Sequence, residues 1–233
     1  MKKISRLFFG LCSAIASLGA AAAALPAEIT VHYDLSRNGS VMVEVSEQLR
    51  HGNGRYRIDS DARGKGILAL ANRGSVRRSS EGELAAGGIR PLEFRDRRGS
   101  GPVASARFDW PAKRVIQEYD GRNDTAEIKG PVQDRLSFLW EFVFRPLPER
   151  GFSVLLADGR GTSQVRYRVA GREKLETPAG TLDTLHIVKE QDPGDERGTE
   201  IWFALKWHNL PVRVLVIEKD GTRLDQLVTR IVP

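Results

Sequence analysis

The sequence predicts a mainly β fold: a single domain in which a curved antiparallel sheet or open barrel wraps one apolar α-helix, preceded by a signal peptide. Three observations predict it. Most of the chain alternates apolar and polar residues with a period of two, which is typical of half-buried strands. Short connections containing Gly, Asn or Asp separate these segments. Residues 134–145 break the pattern, because they are apolar around most of a helical cylinder.

The first 24 residues have the three-part pattern of a secretory signal peptide. Three basic residues precede an apolar run over residues 7–18, and small residues follow up to Ala24. The apolar run is too short for a membrane span, which needs about 20 apolar residues. We therefore expect cleavage before Leu25, one antiparallel β-rich domain over residues 25–233, and a location in the periplasm.

The composition excludes several classes of protein. The 233 residues are 40% hydrophobic and 28% charged, as in globular domains. The single cysteine, Cys12, lies in the predicted signal peptide, which excludes a disulfide framework, a zinc ribbon and thiol redox chemistry in the mature chain. The four histidines are not spaced as a local metal pair, and the sequence has no Walker loop, nucleophile elbow or zinc-protease motif. We therefore expect no cofactor and no metal.

The predicted strands follow one another along the mature chain. Residues 28–35 and 41–46 alternate, and Asn38-Gly39 between them predicts a hairpin because both residues tolerate positive φ. Asp220-Gly221 predicts a second hairpin near the end of the chain. The other strands are expected at residues 55–60, 67–73, 75–83, 89–96, 103–110, 113–119, 125–128, 165–169, 182–189, 200–205, 212–218 and 222–232.

The predicted helix covers residues 134–145 and ends at Pro146, which a helix cannot cross without losing backbone hydrogen bonds. A helix that is apolar nearly all round must be enclosed by the sheet. Enclosure is compatible with an apolar ligand held beside the helix, and equally with a helix that only fills the core. The candidate ligand-lining residues are Leu136, Leu139, Trp140, Val143 and Phe144.

Positive charge is concentrated in one part of the mature chain. Residues 49–98 contain twelve basic and six acidic residues, within a chain of net charge +6. Such a segment predicts a basic surface for anionic lipid headgroups or another envelope polyanion, or else the solvated outer faces of strands. Nucleic acid is not an expected partner, because the chain carries an export signal and no recognition helix. The candidate basic residues are Arg55, Arg57, Arg77, Arg78, Arg95, Arg97 and Arg98.

His186 is the one histidine that offers a catalytic interpretation. It shares a predicted strand face with Leu182, Thr184 and Val188. On that face it is either a general base with a carboxylate brought close by folding, or a core histidine bonded to its neighbours.

Three local patterns together resemble a known family. They are Asp134-Arg135-Leu136-Ser137 at the helix start, GREKLETPAG over residues 171–180, and Ile201-Trp202 followed by Leu210-Pro211-Val212. The mature chain resembles, over residues 28–232, the exported bacterial family of domain of unknown function 3108. The resemblance implies an envelope β-domain and supplies no catalytic residues.

A looser likeness concerns the architecture. Residues 202–218 are similar to a strand, turn and strand of the periplasmic lipoprotein-carrier fold, a curved antiparallel sheet with helices on its concave side. Members of that fold carry acyl chains or lipids, whereas this chain offers one predicted helix instead of several. Likeness of fold does not establish function.

The leading hypothesis is therefore a non-enzymatic envelope module that binds an apolar or lipid-like ligand in its concave sheet or has a structural role. One alternative is a periplasmic hydrolase or polysaccharide-processing accessory enzyme that uses His186. Another is an adaptor that binds anionic envelope polymers or the membrane surface through its basic face. The sequence leaves the oligomeric state open.

Overall fold

The computed structural model describes residues 24–66, 75–192 and 194–233. Residues 1–23 of the predicted signal peptide and the strand predicted at residues 67–73 lie outside them. The described residues form fifteen strands: β1 Glu28–Arg37, β2 Ser40–Gly52, β3 Arg55–Gly64, β4 Val76–Ala85, β5 Gly88–Arg98, β6 Val103–Asp109, β7 Arg114–Tyr119, β8 Arg122–Glu127, β9 Val132–Asp134, β10 Gly151–Ala157, β11 Thr162–Thr177, β12 Gly180–Lys189, β13 Gly198–Ala204, β14 Leu210–Ile217 and β15 Arg223–Val232.

All fifteen strands belong to one sheet. Its order runs from β8 back to β1, then to β15, and from β15 back to β9. The sheet thus consists of two meanders joined where β1 pairs with β15, so the first and last strands of the domain meet in the middle. Neighbouring strands are antiparallel except β9 and β10, which are parallel. The prediction of a mainly β fold built on a curved antiparallel sheet is confirmed.

Local sequence accounts for most of these strands. Asn38 and Gly39 take φ of 49° and 85° in the turn between β1 and β2, as the hairpin prediction requires. Gly221, with φ of 78°, turns the chain between β14 and β15. The sequence did not predict β9 or β10. The segment of β10 reads GFSVLLA, an apolar run without a clear period of two.

The sheet curves so that its later edge returns over its first half. The side-chain amide of Gln133 on β9 donates a hydrogen bond of 3.0 Å to the backbone oxygen of Ile89 on β5. Bulges bend several strands, including β1 between His32 and Tyr33 and β4 between Glu81 and Gly82. The result is an open, strongly curved sheet with a filled concave side.

The predicted helix over residues 134–145 is wrong in its extent. Only Ser137–Trp140 is α-helical (α1), and a 3₁₀ helix continues it over Glu141–Val143. The start is later than predicted because Asp134 belongs to β9 and pairs with Ala157 of β10. We refer to residues 137–143 as the helical segment. Among the described residues, no helix combines the length and the apolar character needed to cross a membrane.

The helical segment separates two hydrophobic clusters. Leu136 and Trp140 belong to the larger cluster, which contains buried residues of both meanders. Phe138 and Phe142 belong to the smaller cluster, which is built on β10 to β13. Alternate side chains thus pack into different clusters, which explains why the segment is apolar nearly all round.

Candidate functional site

Asp134 fixes the start of the helical segment. Its Oδ1 accepts hydrogen bonds from the backbone N–H groups of Leu136 (2.8 Å) and Ser137 (2.7 Å). Its Oδ2 accepts a hydrogen bond of 2.6 Å from the hydroxyl of Ser80 on β4. Burial raises the pKa of Asp134 to about 6, although these hydrogen bonds favour the charged form. One carboxyl group therefore both begins the helix and attaches it to the sheet.

The five candidate ligand-lining residues divide into two groups. Leu136 and Trp140 are buried, and the indole of Trp140 is 0% exposed with its Nε1 donating a hydrogen bond of 2.9 Å to Glu47. They fill the core. Leu139, Val143 and Phe144 are half-buried and pack against the edge of the core. Contact with a ligand is open only to this second group.

The half-buried residues lie near one end of the sheet. The ring of Phe144 meets that of His51, the penultimate residue of β2, edge to face with 5.3 Å between centroids. His51 Nε2 lies 2.8 Å from the backbone oxygen of Pro26, which precedes β1. The side-chain amide of Asn209, between β13 and β14, donates a hydrogen bond of 3.0 Å to the backbone oxygen of Phe142. We call the end of the sheet at His51, Val143 and Phe144 the helix end.

A row of polar side chains crosses the buried face of the first meander. Asp96, Arg78, Ser60 and Glu47 are in register across β5, β4, β3 and β2. Glu47 accepts hydrogen bonds from Ser60 and from Trp140, and burial still raises its pKa. The interior facing the helical segment is therefore partly ionisable.

Sequence reasoning missed this row, although a signal was present. Glu47 falls in the apolar phase of β2, between Val45 and Leu49. Asp96 likewise shares the phase of Phe94 on β5. A charged residue in the apolar phase of a strand indicates a buried polar partner, because an unpaired charge is strongly disfavoured inside a protein.

Asp96 is the centre of an arginine cluster. It is 1% exposed and contacts Arg78 (3.6 Å), Arg98 (3.1 Å) and Arg160 (2.9 Å). Burial opposes its ionisation, but the charge of Arg78 and the hydrogen bond from Arg160 outweigh burial and lower its pKa. The guanidinium of Arg160 also lies 4.5 Å from the centroid of the Tyr119 ring.

The loop between β10 and β11 carries Arg160 into this cluster. The backbone N–H of Gly159 donates a hydrogen bond of 3.1 Å to the side-chain oxygen of Gln117 on β7. Gly159 has φ of 80°, and a Cβ there would meet the Ser105 backbone nitrogen at 2.6 Å. The loop thus joins the second meander to β5, β6 and β7 of the first, and we call residues 158–161 the clasp.

Five of the seven candidate basic residues, Arg57, Arg77, Arg78, Arg95 and Arg97, line one surface depression, which Asp59 and Asp61 also line. Arg78 and Arg98 contact buried Asp96, whereas Arg77 and Arg97 occupy the alternate positions of the same two strands and are exposed. On that outer face Arg57 bonds Asp59 and Glu81, Arg77 meets Asp61, and Arg95 meets Glu93. Within the described part of the chain, Arg55 and Arg97 form no ion pair. The outer face is therefore largely neutralised by its own carboxylates.

His186 does meet carboxylates. Its Nε2 lies 2.9 Å from Glu200, and its Nδ1 lies 3.7 Å from Glu173. The imidazole stacks on the indole of Trp202 with 4.1 Å between centroids, and Arg213 lies 4.6 Å from the centre of the same indole. Both ring nitrogens face carboxylates and one ring face is covered, which is the geometry of a structural stack. No group of three potential metal ligands occurs among the described residues.

Comparison with known proteins agrees with this architecture. The family model described as "Protein of unknown function (DUF3108)" matches residues 28–228, which confirms the resemblance seen in the sequence. No curated protein matches the chain. A crystal structure of a beta-barrel-like protein of the domain of unknown function DUF1849 from Brucella abortus is similar over 88% of this chain and 97% of that one. Its TM-score is 0.55 at 9% identity, so it shows a shared fold.

Two further solved structures align over most of the chain at lower similarity. One is described as a lipoprotein from Parabacteroides distasonis, with 10% identity over 89% of this chain and 96% of that one. The other is described as an exported protein with a YmcC-like fold from Bacteroides fragilis, with 9% identity over 88% and 95%. Both have a TM-score of 0.34.

Proposed function

The chain belongs to the DUF3108 family, and from that premise we propose that it is a periplasmic, non-enzymatic binding module that holds an apolar, lipid-like ligand at its helix end. The proposed location rests on the signal-peptide pattern of residues 1–24. The non-enzymatic character is supported by the packing of His186, whose side chain is 16% exposed and stacks on the indole of Trp202.

One observation carries the proposed ligand site. Leu139 and Val143 of the helical segment and Phe144 directly after it are half-buried apolar residues, and Phe144 meets His51 at the helix end. Apolar side chains that remain partly in contact with water gain free energy when an apolar ligand covers them, about 25 cal/mol for each Å² removed from water. The buried Trp140 and Leu136 support the site from behind and are not part of the contact surface.

The test is native mass spectrometry of the protein purified from the envelope of its own host, followed by organic extraction and lipid analysis. We expect a reproducible apolar molecule to accompany the protein. Val143→Asp places a charge among the three half-buried side chains and should abolish this association. A polypeptide mass without added ligand in the wild type would contradict the proposed function.

Val169→Asp is the matched control. Val169 is also a half-buried valine, but it lies on β11 and packs against the smaller cluster. Both variants introduce the same charge at similar burial, and circular dichroism establishes that each retains the fold. We expect the control to keep the bound molecule. Equal retention by both variants would place the ligand away from Val143.

A further inference from the structure

The turn between β13 and β14 presents an exposed tryptophan. Trp207 is 37% exposed, and the other exposed large apolar side chains of the described residues are Val41 and Val232. Trp207 is therefore the one exposed aromatic among them. Lys206 beside it has a side chain that is 83% exposed.

The turn holds this tryptophan in a fixed and strained conformation. His208 and Asn209 follow it in the left-handed region, with φ of 50° and 56°, although neither is glycine. Asn and His adopt this region more readily than most residues, although each still needs support from the surrounding structure. Here Asn209 donates one hydrogen bond from its backbone to Ala204 (3.1 Å) and one from its side chain to Phe142 (3.0 Å). The turn is thus anchored to the helical segment while Trp207 points outward.

The surface next to the turn has a small excess of positive charge, three basic residues against two acidic ones. Arg172, Lys174 and Lys206 line one shallow depression together with Glu173 and Asp183. Asp183 pairs with Lys206 at 3.0 Å, and Glu173 accepts a hydrogen bond from the indole of Trp202. Within the described ranges, Arg172 and Lys174 form no ion pair. A partner at this surface is therefore expected to be anionic.

We propose that the turn over residues 205–209 docks on an anionic lipid surface, with Trp207 inserted at the level of the headgroups. An indole has an apolar body and a polar N–H, which suits the boundary between headgroups and acyl chains. Arg172 and Lys174 would add electrostatic attraction, each contributing roughly a factor of five in affinity at low salt. A protein interface of ordinary size needs about 800 Å² on each partner, with an apolar centre. A lone tryptophan flanked by charges fits a bilayer better.

This surface is distinct from the proposed ligand site and does not depend on it. The two are connected through Asn209 and Phe142, so docking would bring the helix end close to the bilayer. A ligand that partitions into membranes would then enter or leave near its reservoir.

Flotation with lipid vesicles tests the proposal. The protein, purified from its host, is mixed with vesicles of equal parts phosphatidylglycerol and phosphatidylethanolamine, or with vesicles of phosphatidylcholine alone. We expect binding to the anionic vesicles that falls as salt rises, because screening weakens the contribution of Arg172 and Lys174. Trp207→Ala should weaken it about tenfold. Arg172→Gln with Lys174→Gln should weaken it further and remove most of the salt dependence.

Val41→Ala is the matched control, because Val41 is also an exposed apolar residue but lies at the start of β2. It should bind vesicles like the wild type. Quenching of tryptophan fluorescence by brominated lipids should occur in the wild type and be lost in Trp207→Ala. Unchanged flotation of Trp207→Ala, or no flotation of the wild type, would overturn the proposal, and the latter result would favour an anionic protein partner. Neither result alters the outcome for Val143→Asp, so the two proposals fail separately.

Discussion

At the scale of single residues, the most consequential groups are three carboxyls around the helical segment. Burial raises the pKa of Glu47, of Asp134 to about 6 and of Glu141 to about 7, although Arg145 pairs with Glu141. In the unfolded chain these acids ionise near pH 4. Ionising them in the fold therefore costs stability, and the cost grows as pH rises from about 4 to about 7. Asp96 has the opposite effect on stability. Its lowered pKa means that the ionised carboxylate stabilises the fold, and this stabilisation is lost as the pH falls into the acid range.

Asp134→Asn should make the stability of the fold less dependent on pH. Asparagine does not ionise, so the variant avoids a cost that the wild type acquires between pH 4 and pH 8, about 2 kcal/mol for this one group. Urea denaturation at the two pH values measures the change in the free energy of unfolding. Asp61→Asn, at an outward position of β3, serves as the control. If the free energy of unfolding of Asp134→Asn fell between the two pH values as much as that of the wild type, Asp134 would not be the source of the pH dependence.

At the scale of elements, period-two alternation predicted most of the strands because most have one face in the core and one outside it. It failed for β10, whose half-buried and apolar side chains hide the period. It also failed for the length of the helix. Apolarity around residues 134–145 indicated burial correctly, but a segment between two hydrophobic clusters is apolar on both sides whatever its conformation.

The candidate site was less accessible to sequence reasoning. Alternation tells which way a side chain faces, and it located the apolar residues of the helical segment. It does not tell how much of each remains exposed, so the difference between Trp140 and Val143 required the structure. The contact of Arg160 with Asp96 joins residues 64 positions apart and has no local signal.

Gly159→Ala should open the clasp. The new methyl would lie 2.6 Å from the Ser105 backbone nitrogen, and φ of 80° disfavours any side chain. We expect a loss of stability of about 2 kcal/mol or more, measured by urea denaturation. Trypsin should also cleave after Arg160 more readily than in the wild type.

Gly161→Ala is the control for that variant, because a Cβ at Gly161 meets no atom within 4 Å. It lies in the same loop and should leave both stability and proteolysis close to those of the wild type. A Gly159 variant that resists trypsin as well as this control does would mean that the clasp tolerates the methyl group.

At the scale of the whole molecule, the pairing of β1 with β15 holds the two meanders together. Seven strands, β2 to β8, extend from β1 on one side, and six, β14 to β9, extend from β15 on the other. Tyr33 on β1 reinforces the connection, because its hydroxyl donates a hydrogen bond of 2.8 Å to the backbone oxygen of Pro211 on β14. The continuity of the sheet therefore depends on the last strand of the chain.

A chain that ends at residue 222 should fail to form the native sheet. It lacks β15, so β1 and β14 would both become unpaired edges and the buried Val228 would be lost from the core. Near-ultraviolet circular dichroism and gel filtration should report lost tertiary packing and aggregation. A chain that ends at residue 230 retains most of the β1 and β14 contacts and should fold. Native spectra from the shorter chain would show that the meanders assemble without β15.

The position of β15 in the sequence also determines the order in which the sheet can form. Polypeptides emerge from a ribosome or a translocation pore with the amino terminus first, so β1 appears early and its partner appears last. Closing a loop of nearly the whole chain is slow compared with forming hairpins. The sheet therefore becomes continuous only after β15 has been made, because β15 pairs with both β1 and β14. Until β15 is available, the hairpins within each meander can form, but the two meanders remain unjoined.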